Sequence, residues 1–241
     1  LGNQTGYIDK ESLPTLGTVS RNENGYPIGY FFGYKAIGVF QTQEEIDSYI
    51  SPATGKPIQP NAAPGDTKFE DLYGDGVISD DNEDRTMIGK PNPDWMVGLT
   101  VAADWNGFDL SAFFQGSFGA DVFDALRRYE LAAVNYTSDA LERWTGPGTS
   151  NSMPRIVLGD TPKNFRPSTL LVHDASFLRL RNLQVGYTLP AQLTRKAYIQ
   201  RLRFYASFDN LLTITGYKGM DPEIGSTMGI DKGVYPQARV Y

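Results

Sequence analysis

The chain has 241 residues, 40% of them hydrophobic, with a net charge of −6 and no cysteine. That length suits one large domain or two small ones, the acidic balance argues against nucleic acid as a partner, and a disulfide scaffold or thiolate metal site is excluded. No run of about 18 apolar residues exists, so no transmembrane helix is expected; strands that cross a bilayer leave a much weaker hydropathy trace and are not excluded.

Residues 1–25 carry Gly, Asn, Thr and Pro without a sustained period and read as loop. Tyr26 to Phe40 is aromatic and β-prone, which predicts one strand or a short hairpin. Thr42 with Glu45 three residues on is a capping-box pattern and predicts a short helix over 41–50. Residues 51–68 hold four prolines and read as loop.

From Trp95 to Gln115 the sequence is organised around a turn. Trp95, Val97, Leu99, Val101, Ala103 and Trp105 alternate with small or polar residues, Asn106-Gly107 accepts positive φ, and Phe108, Leu110, Ala112 and Phe114 alternate on the way back. Period-two alternation through Asn-Gly predicts a β-hairpin. Its arms of about ten residues suit a soluble sheet or a tilted strand spanning a bilayer.

Residues 120–170 form a long excursion with a helical signal from Val122 to Trp144, whose charged start (Asp121, Asp124, Arg127, Arg128, Glu130) reads as a solvated face. Ser176 to Leu189 is a strand in two phases: Leu178 and Leu180 point one way, Leu183, Val185 and Tyr187 the other, which predicts a bulge near Arg181-Asn182. Residues 190–200 connect to a further strand over Arg201 to Leu212, with Leu202, Phe204, Ala206 and Phe208 on one face and Arg203, Tyr205, Ser207 and Asp209 on the other. Residues 213–236 read as loop. Alternately short and long links leave one rim of the sheet plain and the other elaborated, as in an outer-membrane barrel or some soluble sandwiches.

One stretch has the makings of a cation site. Asp71-Leu72-Tyr73-Gly74-Asp75-Gly76-Val77-Ile78-Ser79 follows the start of an EF-hand-type calcium loop, with oxygen ligands at positions 1, 5 and 9, a backbone carbonyl at 7 and the turn-forming glycine at 6. Asp71, Asp75, the Val77 carbonyl and Ser79 fit. Tyr73 replaces the usual position-3 acid and Asn82 stands at position 12, so Glu83 or Asp84 would close the shell around calcium or magnesium. The competing reading is an acidic surface loop held by Asx turns. A single histidine, His173, gives a zinc site or a catalytic triad nothing to build on. The pairs Asp80-Asp81 and Glu83-Asp84 share one loop, whereas catalytic carboxylates need fixed separation on rigid elements. Trp95 and Trp105 close the two ends of one strand, where a membrane strand carries girdle residues. Tyr30, Phe31, Phe32 and Tyr34 could stack on a sugar or partner in an outer loop, or serve plain packing.

The segments FLRLRNLQVGYTLP (177–190), RLRFYASFDNLLTITGYKGMDPEIG (201–225) and GVYPQARVY (233–241), in that order and spacing, resemble the C-terminal end of SusC/RagA-type TonB-linked outer-membrane proteins. YPIGYFFGYKAIGVFQTQEE, DLYGDGVISDDNEDRTMIGKPNPDWMVGLTVAADWNGFDLSAFFQGSFG and RYELAAVNYTSDALERWTGPG resemble the segments before it, so the likeness covers residues 26–241. It implies an all-β fold: antiparallel strands of a transmembrane β-barrel, a C-terminal fragment of a large 22-stranded barrel, with long extracellular loops. Residues 1–241 would then be the C-terminal portion of such a receptor, with its plug, earlier strands and closing strand lying elsewhere. The resemblance further implies TonB-dependent import of glycans or oligopeptides, a SusD-like surface lipoprotein as partner, the TonB complex as energy source, outer-membrane lipid around the wall, and no enzymatic activity or required cofactor beyond a possible Ca2+. The alternative is a soluble, calcium-stabilised carbohydrate-binding β-sandwich.

Overall fold

The computed structural model describes residues 19–79, 84–126, 135–223, 228–233 and 235–240. Residues 1–18, Asp80, Asp81, Asn82, Glu83, Arg127, Arg128 and Glu130 therefore lie outside the described residues. The elements in chain order are β1 (Ser20–Arg21), β2 (Tyr30–Tyr34), β3 (Ala36–Val39), α1 (Gln43–Ser48), β4 (Thr67–Phe69), β5 (Arg85–Gly89), β6 (Trp95–Trp105), β7 (Phe108–Phe118), β8 (Asp121–Asp124), β9 (Val172–Asp174), β10 (Phe177–Thr188), α2 (Ala191–Thr194), β11 (Arg203–Thr215) and β12 (Ile230–Asp231). They divide between two compact units.

One unit gathers Asn92–Asp121, Asp174–Gly225 and Gly233–Tyr241 around a four-stranded antiparallel sheet in the order β11-β10-β7-β6. The hairpin forms as its alternation predicts: Trp105 faces Phe108 and Trp95 faces Phe118, and the turn takes φ 48° at Asn106 and 88° at Gly107. The bulge is also where the two phases of β10 meet, between Leu180 and Asn182 against both neighbours. β11 starts at Arg203 and runs on to Thr215, three residues past the predicted end, because Leu212 and Ile214 resume pairing with Leu180 and Leu178 beyond Asn210, which has φ 52°.

The other unit gathers Leu1–Pro91, Val122–His173 and Ser226–Lys232. Its sheets are small: β1-β2-β5, β3-β4 and β12-β8-β9. Val19, Phe31, Phe123, Ala125, Leu171 and Ile230 form its core, with the Phe31 and Phe123 rings 5.9 Å apart. Farther along, Asp66, only 2% exposed, receives both Arg155 Nε (2.6 Å) and Nη2 (3.1 Å) and is also bonded by Asn164 Nδ2 (3.0 Å), tying two segments about ninety residues apart in sequence. The N-cap forms as predicted, Thr42 Oγ1 accepting from the Glu45 amide at 3.3 Å, while Glu45 Oε2 reaches one residue past the cap and accepts from the Gln41 amide at 2.8 Å.

Two expectations are corrected here. Tyr26–Phe40 contains two strands rather than one strand or a hairpin: β2 pairs with β1 and β5, β3 with β4. All of β2 is buried, so Tyr30, Phe31, Phe32 and Tyr34 pack internally and offer no stacking face. The helical signal from Val122 begins instead as β8, whose Phe123 pairs in parallel with Ile230; the segment Ser138–Glu142 forms only a short 3-10 turn. Val122 and Phe123 are adjacent and both fully buried, which suits a strand covered on both faces better than an amphipathic helix. Asp124 is buried too and is not part of a solvated face.

Candidate functional site

The acidic loop brings together three of the residues picked for it. Carboxylate oxygens of Asp71, Asp75 and Asp84 lie within 4.8 Å of one another. Asp71 first organises its own turn, accepting from the Gly74 amide (2.7 Å) and the Gly76 amide (2.9 Å). Gly76 has φ 88°, and a Cβ there would stand 2.5 Å from the Ser51 side chain, so this position needs glycine for both conformation and space. Asp84 is fully buried and accepts from the Ser79 amide (3.0 Å), the Ser79 hydroxyl (3.4 Å) and the Tyr73 amide (3.4 Å). Among the described residues, Asp84 therefore closes the loop. Ser79 serves as its partner, with its own carbonyl accepting from the Tyr34 hydroxyl at 2.7 Å. Val77 is exposed, its amide held by Asp75 Oδ1 at 3.0 Å.

A carboxylate has about four lone-pair sites, so these bonds leave acceptor capacity on three neighbouring groups. The local field is negative. Burial lifts the Tyr49 phenol above its usual range, and the charges of Asp71, Glu70 and Asp84 push the same way. Such a set can hold a hard cation, and it contains no nucleophile paired with a base. His173 lies 3.9 Å from Asp124, away from this loop in sequence and in its sheet.

The four-stranded sheet has two chemically distinct faces. Register aligns Trp105, Phe108, Tyr187 and Phe204 in one transverse row. Beyond it, on the same face, come Ala103, Leu110, Val185 and Ala206, then Val101, Ala112, Leu183 and Phe208. After the bulge follow Leu99, Phe114, Leu180 and Leu212, then Val97, Gly116, Leu178 and Ile214, and finally Trp95 opposite Phe118. No charged side chain interrupts this face, and its one hydroxyl, that of Tyr187, stands in the rim row. Trp95 and Trp105 are 72% and 76% exposed, so the protein itself does not cover them. Ten residue steps at about 3.3 Å, tilted about 40°, span about 25 Å, the height of the apolar band on a membrane barrel.

The opposite face is polar and cross-linked. Arg203 forks onto Asp109 through Nε (2.9 Å) and Nη2 (2.6 Å). Arg179, 1% exposed, reaches Asp221 and Glu223. Arg181, at the bulge, donates to Gln115 (2.6 Å), to Asn210 (3.2 Å) and to both Glu223 oxygens (2.7 Å). Asn182 donates to Ser207 (3.1 Å) and Asp209 (2.7 Å). At Asp221 burial opposes ionisation, but hydrogen bonds from the Gln237 and Glu223 amides and the Arg179 guanidinium outweigh it and hold the carboxyl below the usual range. The sequence reading missed this network: its bonded members stand as many as 94 residues apart in the chain.

A sheet apolar along one entire face, rimmed by aromatics at both ends and charged on the other, is a section of membrane-spanning β-barrel wall. No protein-family model matches the chain. The TonB-dependent receptor P3 of Formosa agariphila is 33% identical over 228 residues, which are 90% of this chain and 22% of that protein. The TonB-dependent receptor SusC of Bacteroides thetaiotaomicron is 29% identical over 98% of this chain and 22% of its own length. Among solved structures, the RagAB peptide transporter aligns with a TM-score of 0.67 at 27% identity over 94% of this chain and 23% of that one. Over about nine-tenths or more of its length the chain is thus similar to TonB-dependent receptors of the SusC/RagA type, and it shares the strand architecture of the solved transporter. It spans about a fifth of the length of the relatives it matches. That likeness, with the uncovered apolar face, supports a barrel wall over the soluble carbohydrate-binding sandwich.

Proposed function

We propose that the chain supplies wall and outer loops to a channel that imports glycans or oligopeptides across the outer membrane with energy from TonB, working beneath a SusD-like surface lipoprotein. The observation that carries this reading is the sheet itself: an uninterrupted apolar face backed by an ion-paired polar one, in a chain related to SusC and to the RagAB peptide importer. The long links 41–94, 120–175 and 213–236 contrast with the two-residue turn at Asn106-Gly107, and on this reading they lie outside the cell and hold the lipoprotein. The test uses the full-length receptor. An epitope inserted at Thr149 is expected to be reached by antibody on intact cells and one at Asn106 is not; deletion of the receptor is expected to abolish uptake of either a glycan or a peptide pool. Reversed accessibility would invert the topology, and unchanged uptake of both pools would remove the import role.

In the same reading the acidic loop is a structural calcium site, with Asp71, Asp75, Asp84, Ser79 and the Val77 carbonyl as ligands. A cation there neutralises three converging carboxylates and orders an outer loop.

A further inference from the structure

The charges of this acidic chain are unevenly distributed. Between Asp174 and Asp209 there is no Asp or Glu, yet the interval holds Arg179, Arg181, Arg195, Lys196, Arg201 and Arg203. Three of these are neutralised on the polar face of the sheet, Arg179 and Arg181 by Asp221 and Glu223, and Arg203 by Asp109. The other three sit on the link 190–202 between β10 and β11, all exposed. Among the described residues none of the three is ion-paired.

The link is tied to one rim of the wall. The Leu189 amide donates to the Leu202 carbonyl (2.9 Å), closing it, and the Thr188 amide donates to the Gly107 carbonyl (2.7 Å), holding it beside the hairpin turn. The row Trp105, Phe108, Tyr187 and Phe204 therefore lies within two residues of its base. The link also carries apolar side chains outward: Leu193 is 58% exposed, Ile199 40% and Tyr198 98%, the last in the left-handed conformation that ends the turn Arg195–Ala197. Exposed cations beside exposed aliphatic and aromatic side chains, continuous with a lipid-facing band, match the boundary where a bilayer changes from acyl chain to phosphate.

We propose that the link 190–202 is a docking surface for anionic phospholipid, with Arg195, Lys196 and Arg201 binding headgroup phosphates and Leu193, Tyr198 and Ile199 seated in the interface. The surface fixes how deep this rim of the wall sits, whatever the channel carries. Lipid is favoured over an acidic protein by the continuity of the patch with the apolar band.

The experiment takes the full-length receptor in detergent and titrates it with phosphatidylglycerol and, separately, phosphatidylcholine, counting bound lipid by native mass spectrometry. The wild type is expected to prefer phosphatidylglycerol. The variant Arg195→Gln/Lys196→Gln/Arg201→Gln is expected to lose about fivefold of that preference per charge, on the order of a hundredfold in all. Lys56→Gln, exposed elsewhere, is expected to leave it unchanged. High salt is expected to shrink the wild-type preference, which tests the idea even where the triple variant fails to insert. Equal binding of the two lipids by the wild type, a salt-independent preference, or a preference retained by a folded triple variant would each overturn it.

Discussion

A side-chain carbon at Gly186 would lie 2.6 Å from Nη2 of Arg203. Gly186 faces Asp109 on one side and Tyr205 on the other, and the Arg203–Asp109 pair crosses β10 directly over it. The missing side chain is what lets two strands that do not touch exchange an ion pair above the one between them. Gly186→Ala is expected to displace the pair and lower the temperature at which the full-length barrel unfolds in detergent. In a double-mutant cycle with Arg203→Ala, much of that loss is expected to vanish, since the obstructed partner is already gone. Additive losses would separate the glycine from the pair.

The depth of each lipid-facing residue follows from its row. Phe204 stands in the aromatic row at the rim, and Phe208 lies two rows in, near mid-height. Phe208→Arg is expected to cost about 2–4 kcal/mol and Phe204→Arg about 0–1. Sequence alternation alone marks both as outward without distinguishing them. Reversible folding into bilayers measures the difference, and the opposite order would shift the band.

Acid is expected to loosen the Arg179–Asp221–Glu223 cluster. The Asp221 carboxyl is held below its usual range when folded, so its contribution is complete above the unfolded value of about 4 and fades as pH falls through the lower folded value. Asp221→Asn is expected to flatten the pH dependence of stability below about pH 4. Removing Arg179 instead leaves carboxylates with an absent partner in a buried place, with a cost of about 3–5 kcal/mol. Thermal unfolding followed from pH 3 to 7 in both variants reads the two effects apart.

Calcium is expected to bind the acidic loop and slow its proteolysis. Asp75→Ala is the informative variant, because Asp75 is exposed and bonded only within its own turn, whereas Asp84 also anchors Tyr73 and Ser79. Calorimetric titration of the full-length receptor is expected to show heat in the wild type and a greatly weakened signal in Asp75→Ala, with barrel stability unchanged. Identical heats would remove the cation from the loop.

What the sequence made legible was local. The hairpin and the bulge were readable because period-two alternation, the Asn-Gly turn and the phase conflict in β10 sit within a few residues of one another. The pairing of β2 was not, because a continuous apolar run says that a segment is buried and nothing about which strands cover it. At Val122 and Phe123 the helical reading failed for the same reason, since short apolar runs suit a covered strand as well as a helix. Asp71 and Asp75 were found from spacing. Asp84 stood out less clearly, because Tyr73 and Asn82 blur the pattern and its burial is a property of the folded loop.

The bulge at Arg181 has a further result. Between the row through Ala112, Leu183 and Phe208 and the row through Phe114, Leu180 and Leu212, β7 spends one residue, β10 two and β11 three. The lipid side therefore keeps its stripe unbroken while the odd–even count of the chain changes beneath it. Arg181 works as a frame correction. Keep that residue but force straight pairing through it, and Leu178 and Leu180 would turn to the polar face while Arg179, now matched to two carboxylates, would be driven into the hydrocarbon.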